Sequence, residues 1–225
     1  MSREIILDTE TTGFGAEDNR ILEIGCVEMV GKIPTGRVFH HYLNPERPID
    51  PGSIRIHGIT DDKVKDAPLF HHIAQAFLEF MADSPLVAHN AEFDVSFINA
   101  ELTRAGFPTL ANQAIDTLAI AKHKLPGQRH NLDALCRHYN VDNSARTTHG
   151  ALLDAQLLAE VYVELTGGLQ ATMDLTATVT ETITLTTVQT SPTSSPVILA
   201  TEDECSAHKA FLEKHIPKSP WLTSE

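Results

Sequence analysis

Three short segments each place carboxylates where a cation would be needed. The first is Asp8-Thr9-Glu10-Thr11-Thr12-Gly13, directly after the apolar run Arg3–Leu7. In an extended chain, alternation puts Asp8 and Glu10 on one side. Two carboxylates at the end of a buried strand are costly without a compensating charge. Hard oxygen ligands favour Mg²⁺ or Mn²⁺ for that role; the competing reading is a solvated loop. The second segment is His89-Asn90-Ala91-Glu92-Phe93-Asp94. It lies between an apolar triplet and a helical stripe, so Asp94 falls in a first helical turn. A carboxylate there also complements the helix dipole, which makes capping its alternative role. The third is His149-Gly150-Ala151-Leu152-Leu153-Asp154. Five helical positions correspond to a rise of about 7.5 Å and a rotation of roughly 140°. His149 therefore sits at the helix entry, and Asp154 one turn further in among Ala and Leu. A carboxylate on an apolar stretch calls for a metal or a buried partner. A histidine free to swing beside it suits general-base work near neutral pH, although alone it reads as a surface-loop histidine.

The elements that must position these groups form an α/β pattern. Arg3–Leu7, Ile21–Val30 and Arg37–Leu43 read as strands, and the Gly- and Pro-bearing segment Gly31–Gly36 as a turn. Three strands with short connections predict an antiparallel meander. Helical spacing follows over Leu69–Met81, with Ile73, Phe77 and Phe80 in one stripe. Leu86–Ala88 reads as a short strand. Glu92–Ala105 is helical through Phe93, Phe97, Ile98 and Leu102, and Gly106 stops it. Shorter helices are expected over Asp116–Lys122 and Asn131–Tyr139, and a longer one over Gly150–Thr166 before Gly167-Gly168. The sum is a mixed sheet flanked by helices, occupying residues 1–168.

The remainder differs in composition. Residues 176–198 contain nine Thr in 23 positions with no Lys or Arg, which predicts a flexible linker. Alternation of Thr with Val, Ile and Leu over 178–185 supports a competing strand reading. Residues 199–225 form a tail in which Glu202–His215 reads as a short helix with Ala207, Phe211 and Leu212 inward. The tail ends in Pro220-Trp221-Leu222, with the chain's single Trp.

Composition removes several function classes. Hydrophobic residues make up 42% of the 225, enough for a sizeable core. The charge balance is 17 − 30 = −13, so the chain does not coat nucleic acid by bulk charge. Three dispersed cysteines, Cys26, Cys136 and Cys205, predict neither a disulfide scaffold nor a zinc site. The opening residues do not read as a signal peptide. No apolar run approaches the ~20 residues that span a bilayer. The expectation is a soluble, cytoplasmic protein with no membrane partner.

Taken together, the DTETTG, HNAEFD and HGALLD segments resemble, in order and local sequence, the three exonuclease motifs of the DnaQ-like DEDD exonuclease family. Ile56-His57-Gly58-Ile59-Thr60 matches a loop typical of its bacterial members, and His149 places the resemblance in the histidine subgroup. Within the family the chain is similar to the epsilon-type proofreading exonucleases of bacterial DNA polymerase III. The resemblance covers about residues 3–168 and implies an RNase H-like fold. It implies that Asp8, Glu10, Asp94 and Asp154 hold two Mg²⁺ or Mn²⁺ ions about 4 Å apart. His149 would take the proton of the attacking water, and nucleoside 5′-monophosphates would leave a DNA 3′ end. Two dications also explain how an acidic protein acts on a polyanion. Asp8, Glu10, Thr11, Ile56, His57 and Asp154 would contact the terminal nucleotide. Gly52 departs from relatives that carry a substrate-contacting side chain near that position.

The resemblance extends to partners. Gln170-Ala171-Thr172-Met173-Asp174-Leu175, within 169–175, resembles a clamp-binding peptide, with Gln170, Met173 and Leu175 meeting the sliding clamp (beta). Phe211, Leu212, Trp221 and Leu222 would bind the polymerase III alpha subunit, which would keep the exonuclease near the primer end. Some relatives add a small theta-like subunit. Three other readings stand beside this one: a DEDD exonuclease for RNA 3′ ends, a phosphatase with Asp8 as nucleophile, and a non-catalytic scaffold linking clamp and polymerase. The 2′-OH separates the first. Glu10 and the two later motifs disfavour the second, and intact metal ligands disfavour the third.

Overall fold

The structure, a computed structural model, describes residues 2–168 and 200–216, which belong to two separate units. Gln170, Met173, Leu175, Trp221, Leu222 and the 176–198 segment expected as a linker lie outside the described residues.

In the first unit, β1 (Arg3–Thr11), β2 (Ile21–Val30) and β3 (Ile33–Tyr42) form the antiparallel meander expected. Helices α1 (Pro51–His57), α2 (Asp61–Val64) and α3 (Phe70–Met81) lead to β4 (Leu86–Ala88). Then come α4 (Ala91–Arg104), β5 (Ala114–Asp116), α5 (Thr117–Lys124), α6 (Leu132–Tyr139) and α7 (Ala151–Leu165). The five strands are ordered β3-β2-β1-β4-β5, with β4 parallel to β1 and β5 parallel to β4. Parallel strands open their carboxyl ends onto one edge of the sheet, the edge where α/β folds place their sites.

Alternation along β1 divides the core. Ile5 and Leu7 join Ile24, Cys26, Phe77, Phe97 and Ile98 on the α3/α4 face. Ile6 joins Val27, Met29, Leu135, Leu158 and Val161 on the α6/α7 face. Both faces are therefore covered, as a sheet rich in Ile, Val and Leu requires. Cys26 and Cys136 are buried, Cys205 is exposed, and all three are free thiols.

Several boundaries differ from the sequence reading for local reasons. β1 does not stop at Leu7; it pairs with β2 through the first motif, with Asp8 opposite Gly25 and Glu10 opposite Glu23. β3 begins at Ile33 because Gly31 and Lys32, both at positive φ, close a two-residue hairpin. Pro34 and Gly36 are tolerated because β3 is an edge strand. β5 and the short helices α1 and α2 carry too few residues for a periodicity. The capping signals of α1 were nonetheless present: Asp50 accepts from the Gly52 N–H at 2.6 Å, Pro51 opens the helix, and Gly58 at φ 69° ends it. Ile56 and His57 thus belong to the last turn of α1, not to a loop. Gly52 gives its N–H to that cap.

Gly25 decides how closely α7 can approach. A Cβ there would collide with the backbone of Ala151 and Leu152. Since α7 begins beside His149 and carries Asp154, a retreat of this helix displaces both. Gly25→Ala is expected to destabilise by about 1–3 kcal/mol and to lower activity in the folded fraction. Urea unfolding paired with an exonuclease assay checks this; unchanged values would mean the contact has slack.

The second unit holds α8 (Glu202–His215), with the bounds expected. The Thr201 hydroxyl accepts from the Glu204 N–H, and the Glu204 carboxylate accepts from the Thr201 N–H, a reciprocal cap. The inward face is narrower than expected. Leu212 is buried, whereas Ala207 is exposed and Phe211 is 56% exposed, since neighbouring positions point about 100° apart. No helix among the described residues is long and apolar enough to cross a membrane.

Candidate active site

Asp8, Glu10 and Asp154 line one cavity of about 280 Å³, together with Thr9, His89, Asp133, Arg146 and His149. Asp8 and Glu10 come from alternate positions of β1 and reach the α7 face. Asp154 meets them from the first turn of α7, and His149 precedes the Gly150 that caps this helix. Asp94 enters from the first turn of α4, with the Thr9 hydroxyl donating to its Oδ1 at 2.7 Å. Asp94 is 3% exposed. The N-cap is Asn90, so capping is not the task of Asp94. The three sequence segments therefore converge, although they lie up to 146 positions apart in the chain (154 − 8).

The electrostatics are those of buried carboxylates crowded against one another. Burial, followed by the Asp94, Glu10 and Asp154 carboxylates, holds Asp8 well above the usual carboxylate range. Burial, then Asp154 and Glu23, raises Glu10 to about 8. Burial raises Asp94 to about 7, against the Thr9 hydrogen bond. Ligand atoms of Glu10, His149 and Asp154 lie within 4.8 Å of one another. Oxygen donors crowded until they resist ionisation fit a divalent cation, which restores their charge.

His149 lies at the rim, with 47% of its side chain exposed and Nδ1 3.5 Å from Asp154 Oδ2. Its backbone N–H donates to the Ile56 carbonyl at 3.3 Å, joining the third motif to α1. Burial, with Arg146 alongside, holds its pKa below that of free histidine. At neutral pH the ring is therefore uncharged.

A second cavity of about 100 Å³ adjoins the carboxylates, lined by Glu10, Thr11, Phe14, Ile56, His57 and Phe93 among others. Of the six sequence-derived substrate contacts, Glu10, Thr11, Ile56 and His57 border it, whereas Asp8 and Asp154 line the larger cavity. The Thr11 hydroxyl donates to the Gly13 carbonyl at 2.9 Å, so its side chain fixes the turn and leaves its backbone for contact. Ile56 is 44% exposed, not core. His57 Nδ1 accepts from the Ile59 N–H, which leaves Nε2 as the proton-bearing nitrogen; it is buried with no partner among the described residues.

Sequence reasoning missed Arg146, Asp133 and Phe14. Phe14 is 83% exposed at the mouth of the smaller cavity. Its loop is pinned by Arg104, which donates to the carbonyls of Ala16 and Glu17, and by Arg20 paired with buried Glu101. An aromatic after Gly13 was visible in the sequence, but nothing there distinguished it from a core residue. Arg146 and Asp133 carried no spacing signal.

The profile of the exonuclease family matches residues 5–162. The chain is 52% identical to the DNA polymerase III subunit epsilon of Rickettsia felis, covering 93% of this chain and 95% of that one. It is 42% identical to the DNA polymerase III subunit epsilon of Escherichia coli, covering 95% and 93%. Among solved structures it is similar to exonuclease X in complex with 5′-overhanging duplex DNA. There the TM-score is 0.57 at 28% identity, over 74% of this chain and 91% of that one. With its fold matched and its acidic cleft lying inside the matched region, the chain belongs to the exonuclease family, in the group of the bacterial DNA polymerase III epsilon subunits.

Proposed function

We propose that this protein is the 3′→5′ proofreading exodeoxyribonuclease of a replicative DNA polymerase III, working in the cytoplasm with the polymerase core on DNA. The observation that carries this reading is the convergence of Asp8, Glu10, Asp94 and Asp154 beside a neutral His149. The family depends on divalent metal ions. Here the four carboxylates would hold two Mg²⁺ or Mn²⁺. When bound, such ions offset the charge of the phosphodiester and activate the attacking water. His149, at the rim beside Asp154, would take the proton of that water.

The smaller cavity receives the terminal nucleotide. The His57 Nε2–H gains an acceptor there, while Ile56, Phe14 and Phe93 offer apolar surface to a base without reading its identity. A mispaired end frays at lower cost than a paired one, so a site for single-stranded ends removes errors preferentially. In the tail, Gln170, Met173 and Leu175 would engage the sliding clamp. Phe211, Leu212, Trp221 and Leu222 would engage the polymerase alpha subunit, and the exposure of Phe211 supports that role. A theta-like subunit is a further candidate partner.

The test is digestion of a 5′-labelled primer on a template, with paired and mispaired 3′ ends and a matching RNA primer. The expected result is a ladder shortened one deoxynucleotide at a time, faster on the mispaired end and abolished by EDTA. Preference for the RNA primer would instead support an RNA-end exonuclease. No metal-dependent cleavage of either would support the scaffold reading.

A further inference from the structure

The carboxylate cluster already holds a cation, and it is part of the chain. Arg146, in the segment between α6 and α7, donates from Nε to Asp154 Oδ1 at 2.6 Å and from Nη2 to Asp154 Oδ2 at 2.6 Å. Both oxygens of Asp154 are engaged by one guanidinium fork, the strongest geometry for such a pair. Nη2 also donates to His149 Nδ1 at 2.9 Å. Arginine has no acceptor, so this bond consumes the lone pair that His149 needs as a base. Nη1 donates to Asp133 Oδ1 at 2.7 Å. Only 7% of the Arg146 side chain is exposed and 4% of Asp154, whereas Asp133, in the first turn of α6, is 41% exposed at the rim.

We propose that Arg146 is a built-in counter-ion that closes the metal-free site and must leave Asp154 and His149 for a divalent ion to bind. A dication on Asp154 would stand beside the guanidinium, and the two like charges repel. Asp133 supplies the place to which the displaced guanidinium retreats, because Nη1 is anchored there already. Release frees three atoms together: both Asp154 oxygens and His149 Nδ1. The site is thereby switched from a neutralised resting state to a loaded one by a single exchange of cations. This inference rests on the reading that the carboxylates bind divalent metal.

Mn²⁺ alone, titrated calorimetrically into the full-length chain, tests it. Arg146→Ala is expected to bind Mn²⁺ about tenfold more tightly than the wild type, about 1.4 kcal/mol, because nothing need be displaced. Its melting temperature in EDTA should fall, and Mn²⁺ should raise it by more than in the wild type. Asp133→Asn is expected to shift affinity the other way, about threefold weaker, since the guanidinium loses its retreat and stays on Asp154. Opposite shifts in two variants are not what general unfolding produces. Arg146→Ala binding Mn²⁺ no more tightly, or Asp133→Asn binding it more tightly, would overturn the proposal. A wild type that binds no Mn²⁺ would instead overturn the metal reading on which it rests.

Discussion

Asp8→Asn is expected to lower the exonuclease rate by at least about 10³-fold while making the metal-free protein more stable. Asp8 stands at the centre of the cluster, facing Asp94, Glu10 and Asp154. Losing its charge removes an oxygen ligand from the metal set, and catalysis by bound metal supplies several kcal/mol of charge stabilisation. Each 1.36 kcal/mol is a factor of ten in rate. The stability effect has the opposite sign. The folded-state pKa values of Asp8, Glu10 and Asp94 are raised, so the folded protein binds more protons than the unfolded one over that range. Their contribution is fully present below the unfolded carboxylate pKa values, near 4, and is lost as pH rises through about 7 to 8. In EDTA the wild type should therefore lose melting temperature between about pH 5 and pH 8. Asp8→Asn, with one charge fewer to confine, should lose less and melt higher at pH 8. Thermal scans across pH with EDTA, paired with activity in Mg²⁺, read both signs. A variant inactive because it is less stable would contradict the account.

His149→Ala is expected to cost about 10²–10⁴-fold in kcat, the usual share of a positioned general base, with metal affinity little changed. The ring is half-exposed at the rim, so its removal leaves no cavity in the core. The pH profile separates this role from a structural one. Since burial, the largest cause, holds the His149 pKa below 6.5, the wild-type rate at saturating metal should rise with pH below that value and level off above it. The variant should lose this limb. A variant that keeps the limb would assign it to the carboxylates instead.

Much of this site could be read from the chain because its chemistry is local in sequence. Asp8 and Glu10 two apart, Asp94 just after a strand, and His149 five before Asp154 each constrain local geometry. The bounds of β2, β4 and α8 followed from apolar patterning. Short elements did not: α1 has seven residues and β5 three, less than two periods of either pattern. Arg146 was illegible for another reason. Its partners Asp133 and Asp154 lie 13 and 8 positions away on different helices, and only the packing of α6 against α7 brings them together. The β1 boundary shows the same limit. Polar residues over Asp8–Thr11 look like a strand ending, yet the pairing with β2 keeps them extended.

The most direct test is a crystal of the full chain soaked in Mn²⁺, measured at the manganese absorption edge. Two anomalous peaks about 4 Å apart, bounded by Asp8, Glu10, Asp94 and Asp154, are the predicted result. No peak in the cleft, or a manganese held without these carboxylates, would contradict the account.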